Sequence, residues 1–190
     1  MKIIGITGGI ASGKSTVSLY LQDKYKAYIF DADKEAKALL QSSIVKDRIL
    51  QAFPNLEDFS TTSIAQEVFK NSESQAKINN IIHPIISDLI LERINEKKDL
   101  HNIFVVDAAL IYESGADTHM DYVIVVTSHL RLRTQRVMER GGLTREEFLD
   151  RVDLQWPDED KVHMADFVIH NNGTKKDLLE ESKKVYDRLG

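Results

Sequence analysis

The chain of 190 residues contains no cysteine. That excludes disulfides and thiolate metal centres and fits a reducing cytosol. It also has no excess of positive charge: 25 Lys and Arg stand against 30 Asp and Glu, for a net charge of −5. Such a balance argues against a protein that coats nucleic acid. No apolar run approaches bilayer-spanning length, so no membrane anchor is expected. The first residues lead directly into an apolar run, without the charged-then-apolar pattern of a leader. Repeats and low-complexity tracts are missing, and the six histidines show no zinc-like spacing. These absences describe a cytoplasmic globular protein with no nucleic-acid or membrane partner. The sequence leaves the oligomeric state open, a monomer included. At this length one α/β domain, or a core with small insertions, accommodates the chain.

What is present begins at residue 8. Gly8-Gly9-Ile10-Ala11-Ser12-Gly13-Lys14-Ser15 matches the phosphate-cradling pattern G-x-x-x-x-G-K-[ST]. It follows the apolar run Ile3–Ile6 and precedes Val17, Tyr20 and Leu21 at helical spacing. Strand, glycine-rich loop and helix together form a setting that binds phosphate at a helix N-terminus. Gly8 and Gly13 let the backbone turn tightly. Lys14 is placed to reach the β- and γ-phosphates of a nucleotide, and the Ser15 hydroxyl to ligate Mg²⁺. A glycine-rich turn without a ligand would need neither of those two side chains.

Five β-rich runs punctuate the chain: Ile3–Thr7, Ala27–Phe30, Ile103–Val106, Tyr122–Thr127 and Phe167–Ile169. Near-continuous apolar runs alternating with helical patterns predict a five-stranded parallel sheet flanked by helices, an α/β fold. Ligands in such sheets sit beyond the carboxyl ends of the strands. Thr7–Ser15, Asp31–Asp33, Asp107 and Asn171–Gly173 all fall there.

Two stretches exceed a minimal crossover. Residues 34–100 read as a mostly helical insertion beside the sheet, fit to hold an acceptor substrate. Within it Ser72-x-x-Gln75 resembles a capping box, Pro84 interrupts the helix, and Ser87–Lys98 resumes it. Pro54 and Ser60–Ser63 mark loops. Residues 129–164 carry six of the nine arginines. Arg133, Arg136 and Arg140 share one helical face. Gly141-Gly142 then breaks the helix, and Thr144-x-x-Glu147 caps the next one. Arginine-bearing helices around a glycine hinge suit a mobile lid. At least one of Arg136, Arg140 and Arg151 is expected to touch phosphate; a solvated charged face is the alternative for any single one.

A kinase differs from an ATPase in presenting an acceptor hydroxyl in line with the γ-phosphate. A carboxylate can orient that hydroxyl and accept its proton. Asp31 and Asp33 sit two apart at the end of the second strand and point the same way if that segment is extended. Asp33 is the choice for the base because it lies further beyond the sheet edge; either aspartate is also suited to cap the helix over Lys34–Leu40. Asp107 reads either as a carboxylate serving Mg²⁺ or as a plain turn aspartate. His83, before Pro84, reads as a structural imidazole or a substrate ligand. Asn171-Asn172-Gly173 is a turn by composition, placed to bring amide and backbone groups to an adenine ring.

The ordered set of motifs resembles the dephospho-coenzyme A kinases, a family with the P-loop kinase fold. The residues that carry the likeness are Thr7 to Thr16, Phe30-Asp31-Ala32-Asp33, Ile82-His83-Pro84, and Val106-Asp107 with Leu110–Glu113. Gln135-Arg136, Arg140, Arg151, Gln155 and Ala165–Ile169 with Asn171 and Gly173 complete it. The resemblance implies ATP-dependent phosphorylation of the ribose 3′-hydroxyl of dephospho-coenzyme A, with Mg²⁺; the residues alone leave GTP open as donor. It implies nucleotide contacts at Gly9, Ala11, Ser12, Gly13, Lys14, Ser15, Thr16, Asn171 and Gly173. It also implies catalytic roles for Lys14, Asp33 and Arg140, substrate contacts at Asp33, His83, Arg136 and Arg151, and metal contacts at Ser15 and Asp107. The expected divisions are a nucleotide-binding core (1–33, 101–128, 165–190), a coenzyme A-binding insertion (34–100) and a lid (129–164). The chain departs from the family pattern at Phe53-Pro54, where Phe-Gly is usual. It departs again at Ala108–Glu113, where Ile-Pro-Leu-Leu-Phe-Glu is usual.

Overall fold

Successive residues of an extended strand face opposite ways. In the third strand of the computed structural model, Phe104 and Val106 join one buried apolar cluster while Ile103 and Val105 join another. The sheet therefore has two apolar faces, and each needs a helical layer. The model describes residues 1–56 and 58–189; Glu57 of the expected insertion and Gly190 of the expected core lie outside the described residues. In chain order come β1 (Lys2–Thr7), α1 (Lys14–Tyr25), β2 (Tyr28–Asp31), α2 (Ala32–Leu39), α3 (Ser43–Ala52), α4 (Thr61–Val68) and α5 (Ser72–Lys97). Then follow β3 (Ile103–Asp107), α6 (Ile111–Ser114), a 3₁₀ turn (Ala116–His119), β4 (Tyr122–Thr127) and α7 (Leu130–Arg140). The chain closes with α8 (Arg145–Asp153), α9 (Asp158–Met164), β5 (Phe167–His170) and α10 (Lys175–Arg188).

All strand pairs are parallel, in the order β2-β3-β1-β4-β5. The strands match the sequence expectation to within a residue. At the start of β2 the difference has a local cause: Lys26 adopts a left-handed φ of 58°, and Ala27 N–H bonds the Leu21 carbonyl, so Ala27 closes α1 instead of opening the strand. Register sets Asp107 beside Asp31 on one side and Ile6 on the other. The loop after β1 thus starts at the same edge as both aspartates. Helices α1 and α10 cover one face through Val17, Leu21, Leu178 and Val185. Helices α2 to α5 cover the other. No helix among the described residues is long and apolar enough to cross a membrane.

Four expectations about local structure are corrected. Helix α5 runs unbroken through Pro84 for 26 residues. Its buried Ser74, Ile78, Ile82, Ile86 and Ile90 recur every fourth residue. A four-residue step advances about 40° beyond a full turn, so the stripe winds by roughly 160° along the helix. That winding lets one helix pack on α2, α3 and α4 as well as on β3, and this packing keeps it helical past the proline. Its cap is Asn71, which accepts from Ser74 N–H, and not Ser72. Ser60 caps α4 by accepting from Ser63 N–H, so residues 60–63 open a helix instead of a loop. Asp31 caps α2, accepting from Lys34 N–H at 2.9 Å. Helix α2 begins at Ala32, so Asp33 lies in its first turn and the extended pairing of the two aspartates does not occur.

Pro84 is solvent-facing and leaves the Asn80 carbonyl without its helical N–H partner. Pro84→Ala is expected to stabilise the fold by about 2 kcal/mol, the helix-interior cost of proline less its restriction of the unfolded chain. Urea denaturation measures it; a lower midpoint for the alanine variant would contradict this account of α5.

Candidate active site

Three carbonyls of the loop between β1 and α1 are pinned by side chains from far along the chain. Arg133 Nε donates to Ile10 O at 2.9 Å, Arg136 to Ala11 O at 3.3 Å, and the Asn171 amide to Ser12 O at 2.7 Å. Gln155 accepts from Ile10 N–H at 3.1 Å. Gly8 has a φ of 138°, and a Cβ there would collide with the Val126 carbonyl. Gly13 enters the helix at φ 111°, and a Cβ there would collide with the Asn171 amide. Residues 11 and 13–15 keep N–H groups that no intrachain carbonyl takes up among the described residues. The Ser12 hydroxyl is buried without a partner. Unspent donors at a helix N-terminus suit a polyanion.

This loop forms one wall of a cleft of about 900 Å³. Lys14, Ser15, Thr16, Asp31, Asp33 and Asp107 line it, together with Arg136, Arg140 and Arg151. A smaller chamber of about 190 Å³ opens beside Asp33 between α2 and α5, with His83 in its wall and otherwise mostly apolar sides. His83 is half-buried, and desolvation lowers its pKa against the pull of Glu113.

The arginines divide by their partners. Arg133 is buried and pairs with Asp158 at 2.7 Å. Arg136 spends its guanidinium on Ala11 O, the Ser128 hydroxyl and Asn171 O. Arg151 lies over the Phe69 ring at 4.3 Å, joining α8 to the end of α4. Arg140 is exposed where α7 ends at Gly141, without a hydrogen-bond or ion-pair partner among the described residues. Gly173 lies in the exposed turn before α10. The Asn171 amide, expected near a base, is occupied by the loop.

Charges in the cleft restrain one another. Burial lowers the Lys14 pKa, and Asp33 and Asp107 oppose the shift. The amine donates to Gly8 O at 3.0 Å. Burial raises Asp33, against the opposing Lys14 charge, the Ala109 N–H at 3.2 Å and Lys161. Burial pushes Asp107 up to about 6, although the Ser18 hydroxyl donates to it at 2.7 Å. Sequence reading missed Arg133, Ser18 and Lys161. Arg133 carried a signal, since it shares a helical face with Arg136. Lys161 follows Asp158-Glu159-Asp160 and reads as solvated, yet it is fully buried.

A family model for dephospho-CoA kinase matches residues 2–177. A dephospho-CoA kinase of Fusobacterium nucleatum is 36% identical over 193 residues, covering 98% of each chain. The solved dephospho-CoA kinase of Campylobacter jejuni is 30% identical, with a TM-score of 0.66 over 100% of this chain and 98% of its own. A solved structure from Thermus thermophilus reaches a TM-score of 0.81 at 30% identity, with the same coverage.

An ionised Asp107 opposes folding, because its folded pKa of about 6 exceeds the ordinary 3.8. Below pH 3.8 both states are protonated and nothing is lost; the penalty grows as pH rises towards 6 and is complete above it. Asp107→Asn is therefore expected to stabilise the ligand-free protein by about 2–3 kcal/mol at pH 7.5, with the gap closing towards pH 4. Thermal unfolding across that range checks both the sign and the window. A gap that widened on acidification would contradict the assignment.

Proposed function

The chain belongs to the dephospho-CoA kinase family, and from that membership we propose how its cleft transfers the γ-phosphoryl group of ATP to the ribose 3′-hydroxyl of dephospho-coenzyme A, giving coenzyme A and ADP. One observation carries the reading. Lys14, at an anion-ready helix N-terminus, and Asp33, a carboxylate held by one backbone N–H through one oxygen, line one cleft. Asp31 is engaged as a helix cap, which leaves Asp33 to face an acceptor. Its raised pKa makes it a better proton acceptor than an ordinary aspartate. Asp33 orients the hydroxyl and takes its proton as the bond to phosphorus forms, while ADP departs with the electrons of the broken bond.

The loop N–H groups and Lys14 hold the β- and γ-phosphates, with Gly9, Ala11, Ser12, Gly13, Ser15 and Thr16 forming the cradle. Asn171 serves that cradle through its grip on Ser12 O, and Gly173 closes the adjoining turn. Arg140, unpartnered at the cleft mouth, neutralises charge on the transferring group. Arg136 and Arg151 flank the substrate. Ser15 and Asp107, both lining the cleft, would hold Mg²⁺, with phosphates and water completing its shell. When bound, that ion neutralises the triphosphate. The chamber beside His83 offers the acceptor's apolar arm a place next to the base. We divide the chain accordingly into the core, the coenzyme A-binding insertion at 34–100 and the lid at 129–164.

A coupled ADP-release assay with ATP and Mg²⁺ tests the acceptor. Turnover is expected with dephospho-coenzyme A and none with a panel of nucleosides and sugar acids; the reverse pattern would sink the proposal. Lys14→Ala should abolish turnover. Asp33→Asn is expected to lower kcat by roughly 10²- to 10⁴-fold with ATP affinity nearly unchanged. Normal turnover in that variant would remove Asp33 from the base role.

A further inference from the structure

Lys161 on α9 is wholly buried, and its ammonium has two partners. It pairs with Glu113 Oε1 at 2.6 Å and donates to the Ala109 carbonyl at 2.9 Å. The Thr7 hydroxyl donates to that same carbonyl at 3.2 Å. On the other side of the residue, Ala109 N–H donates to Asp33 Oδ1 at 3.2 Å. Glu113 is also anchored by Trp156 N–H at 3.0 Å. One backbone residue thus stands between a buried ion pair and the carboxylate argued above to be the base.

We propose that Lys161 is a positioning residue for phosphoryl transfer: by clamping the Ala109 carbonyl, it fixes the Ala109 N–H that orients the Asp33 carboxylate. The inference rests on the reading of Asp33 as the base. A buried ammonium is a costly way to brace a loop, and the attraction to Glu113 often no more than offsets its desolvation. What the pair adds here is direction. The carbonyl held by Lys161 and Thr7 lies in the peptide plane after the Ala109 Cα and the N–H in the plane before it, so pinning the carbonyl restrains the N–H through the two backbone torsions of that one residue. The Asp33 oxygen accepting that N–H is fixed in turn, and its second oxygen remains for the acceptor hydroxyl. The Ala109 N–H exists because residue 109 is alanine.

Two variants test the two links separately. Lys161→Met combined with Glu113→Gln removes both buried charges together, which avoids stranding either one. Ala109→Pro deletes the donor to Asp33 and keeps the carbonyl for Lys161 and Thr7, at the cost of fixing φ there and restricting residue 108, so the unfolding midpoint is read to show that it folds. Steady-state kinetics with ATP and dephospho-coenzyme A, ATP affinity by calorimetry and the unfolding midpoint are read for each. The expected result is a kcat roughly 10- to 100-fold lower in the double variant and several-fold lower in Ala109→Pro. Both KM values and ATP affinity should stay within about threefold, since the cradle is untouched. Wild-type kcat in a folded Ala109→Pro protein would overturn the proposal. So would a double variant whose losses fall on KM and the midpoint with kcat intact. Asp33→Asn run alongside separates the two claims. If it retains normal turnover, the base assignment falls. If it loses turnover while both other variants remain at wild type, the base stands and the positioning role falls.

Discussion

Everything in the cleft depends on where a short run of backbone carbonyls points. A peptide that turns its N–H towards a ligand turns its C=O the other way, and a buried carbonyl needs a donor. Here the donors at residues 10, 11 and 12 are Arg133, Arg136 and Asn171. Two come from α7 and one from the end of β5. Three long-range hydrogen bonds hold the loop in a shape that glycine permits but does not by itself enforce. The arginines therefore act partly at one remove: two of the three on that helical face hold the loop's own backbone, and Arg140 has no hydrogen-bond or ion-pair partner among the described residues.

The same economy governs the ionisable groups. Asp33 and Asp107 both pull on Lys14, and desolvation opposes charge on all three. Each charge is tolerated because an opposite one is close. Such a site is unsettled when empty and gains from a triphosphate accompanied by its cation, since both signs are then better matched. Stability given up around Asp107 is the counterpart of its capacity to serve a metal.

Much of this was legible in the sequence because it rests on local patterns. Apolar runs gave the strands, and the glycine-lysine-serine spacing gave the loop. Thr144 and Glu147 form the expected capping box. What stayed hidden depends on partners far along the chain. Pro84 reads as a break, and only packing on four neighbouring elements keeps α5 continuous. Asp31 and Asp33 are equivalent on paper; the early start of α2 makes one a cap and leaves the other to the Ala109 N–H. Lys161 sits in an acidic run typical of a solvated face. Its burial follows from Glu113, which is nearly fifty residues earlier in the chain. Asn171 follows the C-terminal end of β5, as the strand pattern indicates, but no local signal says that its amide faces the loop.

The strand order has a bearing on how the protein is made. β1 lies at the centre of the sheet, yet its neighbours are β3 and β4, so Lys2 waits for Ile103 and Ile4 for Tyr122. The glycine loop waits longer still, for Asn171. During synthesis the first strand leaves the ribosome with nothing to pair with until more than half the chain has followed. Contacts of such separation slow folding and prolong the exposure of apolar segments. The glycine loop, which precedes its partners in the chain, gains the bond that holds its Ser12 carbonyl only after Asn171 has followed.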